Sequence, residues 1–218
     1  MDIFEYPARY TDERGTEAVT IRNDGECLSV TIRGQGFSGR DFDLLAPAED
    51  ISRAAKEFCI HKGYLCSCRI ECSIAVPMLN NHQQVEGILH AKIILGNPDQ
   101  RGGLDDERVS LSLDYEGNSY TGSGSGGWWE GELMEIQAQL PMGVHFRTCI
   151  GCLYSDYTPY GHGSFGYMMC FRNLKAEYRR VKTKDEFWSV HDRYDRLVQE
   201  IHWCEEFAKR IPGTGYRG

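Results

Sequence analysis

Within residues 64–76, YLCSCRIECSIAV, apolar and polar side chains alternate from Cys66 to Ile74. A period of two is the signature of a half-buried β-strand. Cys66, Cys68, Ile70, Cys72 and Ile74 fall on one face, and Ser67, Arg69, Glu71 and Ser73 on the other. The pattern repeats in VEGILHAKIILG (85–96), with Leu89, Ala91, Ile93 and Leu95 on one face. It repeats again in RVSLSLDYEGNSYT (108–121), with a turn at Glu116-Gly117-Asn118. Three such strands in succession demand a sheet with one covered face.

Other segments extend this sheet. EAVTIRNDGECLSVTIRG (17–34) predicts a hairpin turning at Asp24-Gly25. VHFRTC (144–149) and YMMCFR (167–172) predict two further strands. AEDISRAAKEFC (48–59) has the spacing of a short helix. WWEGELMEIQAQL (128–140) aligns Trp129, Leu133, Ile136 and Leu140 in a helical stripe ended by Pro141 and Gly143. TKDEFWSVHDRYDRLVQEIHW (183–203) predicts a long helix, with Thr183 and Glu186 as a capping box and Phe187, Val190, Tyr194, Leu197 and Ile201 as its apolar face. The expected fold is α+β: mainly antiparallel β-sheet or sandwich, with a mid-chain helix and a C-terminal helix docked on it. One domain over 1–218 is expected, made of a β-rich body (1–182), a helical segment (183–211) and a tail (212–218).

The chain has 218 residues and a net charge of −8. Such a surface repels phosphate backbones, so general nucleic-acid binding is not expected; the best basic cluster is YRRVKTK (178–184). The charge suits a basic protein partner. The N-terminal stretch has no apolar signal core, and no apolar run approaches the ~20 residues of a membrane helix. A soluble cytoplasmic protein is expected, with no membrane association, and its nine cysteines are expected to be reduced.

The chemistry-bearing stretch is CIGCLYSDYTPYGHGSFGYMMC (149–170). Cys149 and Cys152 have knuckle spacing, which curls two thiolates around one tetrahedral ion. With Cys170 and Cys204 they form a candidate structural zinc site, zinc being favoured by soft thiolate donors. His145, His162, His191 and His202 are substitute ligands. Buried, inert cysteines are the alternative. Cys66, Cys68 and Cys72 read as core, since same-face neighbours on a strand lie about 6.5–7 Å apart. A redox role for the C-x-x-C pair would need a helix after it, and LYSDYTPYG cannot supply one.

G-x-G-x-x-G occurs at 34–39, 122–127 and 161–166. Only 122–127 lies between a strand and a helix, and its strand alternates unlike a doubly wound parallel one, which disfavours a dinucleotide site. Tyr154, Tyr157, Tyr160, Phe165 and Tyr167 crowd the last of these loops, and Trp128 stands near by in sequence. Tyrosine is enriched at recognition surfaces. Tyr154, Asp156, Tyr157, Tyr160, His162 and Arg172 are therefore the candidate binding residues.

Three segments, CIGCLYSDYTPYGHGSFGYMMCFRNLKAEY, GWWEGELMEIQAQLP and RIPGTGYRG, resemble an uncharacterised bacterial domain-of-unknown-function family. The resemblance implies a bacterial origin and carries no activity, substrate or catalytic residue. Two readings stand. One is a zinc-stabilised binding protein that meets a protein partner through the tyrosine loop, on the pattern of immunity proteins that neutralise toxins. The other is a small hydrolase or transferase with Asp156, His162 and Arg172 around a site in the 154–172 loop. A purely structural or oligomeric role would bury Tyr157 and Tyr160 between copies.

Overall fold

A computed structural model describes residues 3–216. The first two residues of the N-terminal stretch and the last two of the 212–218 tail lie outside the described residues. The fold is α+β and mainly antiparallel, as the alternation requires. The strands are β1 (Phe4–Asp12), β2 (Gly15–Asn23), β3 (Leu28–Ile32), β4 (Gln35–Gly39), β5 (Ala46–Pro47), β6 (Ile60–His61), β7 (Tyr64–Leu65) and β8 (Cys68–Asn80). They continue as β9 (Gln83–Leu95), β10 (Glu107–Tyr115), β11 (Asn118–Thr121), β12 (Val144–Phe146), β13 (Ser155–Asp156), β14 (Met168–Cys170) and β15 (Arg196–Val198). The helices are α1 (Ile51–Ala54), α2 (Trp129–Gln139), α3 (Lys175–Tyr178) and α4 (Lys184–Trp188).

Ten strands make one sheet in the order β11-β10-β9-β8-β1-β2-β3-β4-β5, with β12 added to β8. Its centre is the β8–β9 pair, in register from Cys68↔Leu95 to Asn80↔Gln83. Cys68, Ile70, Cys72, Ile74, Val76 and Met78 of β8 all face the core, as do Leu89, Ala91, Ile93 and Leu95 of β9. Gly87 fits between them because a Cβ there would meet Met78 Sδ at 2.8 Å and Leu113 Cδ1 at 2.9 Å. Helix α2 covers the end of this face with Trp129, Leu133 and Ile136, all fully buried.

Three sequence expectations are revised. Strand β1 was not anticipated: Tyr6, Ala8 and Tyr10 alternate with Glu5, Pro7 and Arg9, but a proline within a run weighs against a strand. Pro7 lies just before the Ala8–Thr11 stretch that pairs with β8, so its missing N–H costs that ladder nothing. The strand expected over 64–76 breaks at Ser67, whose φ of 51° turns the chain. Tyr64–Leu65 therefore belongs to a small hairpin with β6, and Cys66 leaves the face that Cys68 and Cys72 share.

The third revision is the long C-terminal helix. It begins as expected, with the Thr183–Glu186 capping box, but ends at Trp188. A 3-10 turn follows at His191–Arg193, and then β15 pairs with β14. Val198 packs into the main core, whereas its neighbour Leu197 packs on a second cluster of Met169, Phe171, Tyr178, Val181, Phe187 and Val190. Consecutive residues can face opposite ways only in extended chain, so a helix there would strand one of them. The helix expected over 48–59 is likewise short, capped by the Asp50 carboxylate on the Ser52 N–H at 2.8 Å. Among the described residues no helix is long and apolar enough to cross a membrane.

Trp129 is the largest fully buried side chain and packs against Phe42 (centroids 5.6 Å) and Phe165 (4.6 Å). Trp129→Ala should cost about 3–5 kcal/mol in urea unfolding. Trp129→Phe should cost less, because the indole N–H is buried without a hydrogen-bond partner. Equal losses for the two variants would contradict this packing.

Candidate functional site

The 149–170 stretch is built against the C-terminal part of the chain. Cys149–Gly151 forms a 3-10 turn, in which the Cys152 N–H donates to the Cys149 carbonyl at 3.1 Å. The Cys149 N–H donates to His202 O (2.7 Å), that of Ile150 to Glu200 O (2.9 Å) and that of Leu153 to Ala208 O (2.7 Å). Arg210 donates to the carbonyls of Cys152 and Ser155. Strand β14 then joins β13 to β15.

Cys149, Cys152 and Cys170 are buried and Cys204 is half-buried. Burial pushes the Cys149 thiol well above the ordinary range, and Cys152, Cys170 and Cys204 each push it further. Burial likewise raises Cys170, against the opposing pull of the Arg172 N–H and charge. The four thiols thus share one electrostatic neighbourhood. Among the described residues no three His, Cys, Asp or Glu side chains stand in a metal-holding group. All nine cysteines are free thiols.

The substitute histidines are dispersed in role. His145 is buried with both ring nitrogens unpartnered. His202 Nε2 accepts from Arg196 at 2.9 Å; burial, then Arg196 and Arg172, lower its pKa to about 4. His191 pairs with Asp192 at 2.8 Å.

The candidate binding residues divide into buried and exposed sets. Tyr154 is half-buried, with Lys175 Nζ 5.3 Å over its ring. Asp156 is buried, accepting from the Tyr157 N–H (2.9 Å) and from the Tyr178 hydroxyl (2.5 Å). Tyr157 is buried, and its hydroxyl donates to Glu200 at 2.7 Å. Its ring stacks on His162 at 3.9 Å between centroids. His162 Nδ1 donates to Gly163 O (2.8 Å), and Nε2 lies 3.6 Å from Glu130. Burial works against the His162 proton, but Glu130, the Gly163 carbonyl and Glu200 outweigh it and raise the pKa. Arg172 pairs with Asp195 at 2.6 Å. Asp156, His162 and Arg172 are thus held by different partners. Tyr160 alone of the loop tyrosines is exposed. It packs at a tilt of 30° on Trp188, 4.6 Å between centroids, the two residues being 45% and 54% exposed, with Lys184 Nζ 4.2 Å over it.

Sequence reasoning missed Trp188 and two buried carboxylates. Asp41 accepts from the Ser164 hydroxyl (2.9 Å), the Phe165 N–H (2.9 Å) and the Phe42 N–H (2.7 Å). Glu200 accepts from the Gly166 N–H at 2.8 Å as well as from Tyr157. The G-x-G-x-x-G at 161–166 therefore spends donors on the protein's own acids. The loop at 122–127 does the same, with the Ser123 N–H on Glu135 (2.6 Å) and the Gly124 N–H on Glu132 (2.9 Å). Neither offers those groups to a phosphate.

Beside the 161–166 loop lies a cavity of about 350 Å³ lined by Asp43, Glu107, Trp128, Gly163 and Ser164 among others. Burial, then the neighbouring carboxylate, raises the pKa of Glu107 and of Asp41, and burial raises Asp43. On the open sheet face, Ser73 Oγ lies 3.0 Å from His90 Nδ1, and His90 Nε2 lies 3.0 Å from Asp114. These are the residue types of a nucleophile–base–acid relay. They also sit in cross-strand register, Ser73 directly opposite His90. The strands carrying them use their N–H groups in the ladder, whereas acyl transfer needs free donors for the oxyanion. The row fits a polar sheet surface better than a catalytic centre.

Burial raises Glu200 to about 7, against the lowering effect of its hydrogen bonds, those from the Gly166 N–H and the Tyr157 hydroxyl foremost. The folded protein then keeps a proton that the unfolded chain has lost, so stability falls as pH rises from 4.5 to 7. Relative to Glu200→Gln, the wild type should lose at most about 1.4 kcal/mol per pH unit across that window, read from urea unfolding. Parallel pH–stability curves would refute a raised Glu200.

Residues 4–155 match the family of unknown function DUF6304. No curated protein and no solved structure matches the chain. The family match covers well over half of the sequence, and the chain belongs to that family.

Proposed function

We propose that this chain is a binding protein that meets a basic protein partner through the Tyr160–Trp188 ring pair, on a loop stiffened from beneath by a structural zinc ion. The observation that carries the binding half is the pair itself: two rings in tilted contact, 4.6 Å between centroids, on residues 45% and 54% exposed. Large rigid rings with few torsions are the usual anchors of an interface, and an arginine of the partner could stack on Trp188. The net charge of −8 steers a basic partner toward the surface. A basic toxin is one partner of this kind.

The zinc half rests on donor chemistry. Cys149, Cys152, Cys170 and Cys204 are four soft thiols, and the first two are joined by a 3-10 turn of knuckle spacing. Their sulfurs would have to turn toward a common centre and lose protons. A divalent cation would reverse the mutual repulsion that raises the Cys149 thiol.

Metal analysis of untagged protein should find about one equivalent of zinc, lost in Cys149→Ser. Less than about a tenth of an equivalent in the wild type would remove the metal and leave the ring pair to be judged alone. For the pair, a benzophenone amino acid at position 188 should photo-crosslink one basic protein in the native host, while the same group at exposed position 134 does not. Trp188→Ala should then weaken the purified complex at least about tenfold. Identical adducts at both positions, or unchanged affinity, would overturn the reading.

A further inference from the structure

Cys59 and Cys66 flank the β6–β7 hairpin, whose register pairs Ile60 with Leu65 and His61 with Tyr64. One step outward, the two cysteines face each other. The Cys66 N–H donates to the Cys59 carbonyl at 3.0 Å, and the two Sγ atoms stand 3.0 Å apart. A disulfide bond is about 2.05 Å long, so closure requires a movement of about 1 Å. Both are free thiols, and their exposure differs. Cys59 is half-buried and lines an open cleft of about 400 Å³ with Arg14, Lys56 and Asn97. Cys66 is buried, and burial together with Cys59 keeps its proton on far above the ordinary thiol range. One sulfur therefore meets solvent while the other waits behind it, the arrangement of an attacking and a resolving thiol.

We propose that Cys59 and Cys66 are a peroxide-sensitive thiol pair that closes reversibly to a disulfide. The Cys59 sulfur attacks one oxygen of hydrogen peroxide; the O–O bond breaks, one water leaves, and Cys59 becomes a sulfenic acid. The Cys66 sulfur attacks that sulfur; the S–O bond breaks, and the hydroxyl departs as a second water with the Cys66 proton. The two thiols lose two electrons, and the peroxide is reduced to two waters. A thiol reductant such as glutathione reopens the bond by exchange. Closure ties an eight-residue ring around the hairpin. The hairpin is bonded to the body through the Leu65 N–H on Leu45 O at 2.9 Å, one residue beyond the turn Phe42–Leu44.

Full-length protein treated with hydrogen peroxide, alkylated and cut with trypsin tests the pair. Peptide 57–62 should appear joined to peptide 63–69, with fragmentation placing the bond at Cys66 and not at Cys68. Glutathione should restore both free peptides. Cys66→Ser should leave a Cys59 sulfenic acid that dimedone traps at least about fivefold more than in the wild type. Cys59→Ser, at the half-exposed position, should abolish the crosslink and leave Cys66 unmodified even if the buried variant folds poorly. Absence of the crosslink, a bond to Cys68, irreversible oxidation, or equal dimedone labelling would each overturn the proposal.

Discussion

Strands β8 and β9 run together through an unbroken register from Cys68↔Leu95 to Asn80↔Gln83, and most of the molecule takes its position from that pairing. A slip of β9 by one residue against β8 would turn Leu89, Ala91, Ile93 and Leu95 out to solvent at once. Because both strands are long, β1 docks on one end of β8 through Ala8–Thr11, while β12 docks on the other through Val144–Phe146. Strand β12 leads directly into the cysteine turn at 149–151. The same register therefore sets where the tyrosine loop begins.

The loop is then gripped by two acids of the protein's own chain. Asp41 comes from the β4–β5 connection and Glu200 from beyond β15, and they grip adjacent residues of the segment 164–166. Each carboxylate has little water around it, and burial raises both toward the neutral form. Their backbone donors make glycine there useful for a reason unrelated to nucleotide binding. Gly166 has a φ of 80° and sits 3.2 Å from the Arg40 carbonyl at its Cβ position, so no other residue presents its N–H there without strain.

The sheet was legible because its strands alternate strictly and because the turns at Asp24-Gly25 and Glu116-Gly117 carry their own chemistry. Helix α2 was legible from Trp129, Leu133 and Ile136. The 183–203 segment misled because Phe187, Val190, Tyr194, Leu197 and Ile201 fit a helical period while serving two separate cores, a division that periodicity does not record. The tyrosine cluster was visible as a cluster. Which ring stays open was not, since Trp188, which packs against Tyr160, lies 28 positions further along the sequence. Asp41 and Glu200 gave no local signal, because an acid buried by distant elements has the same sequence as an acid in water. The Cys66 break was hidden because Ser67 continues the polar alternation while adopting a left-handed backbone.

The attachments of the 149–153 turn have a consequence in time. Its N–H groups bond to His202, Glu200 and Ala208, which are synthesised about fifty residues later. The large sheet, through β11, is already complete in sequence long before those partners emerge. Until they do, the turn's donors bond to water, strand β14 has no β15 beside it, and Tyr157 has no Glu200 to meet. The turn therefore cannot complete its native hydrogen bonds until this closing stretch has been made, and chains cut short before it would carry the strands of the large sheet without those bonds.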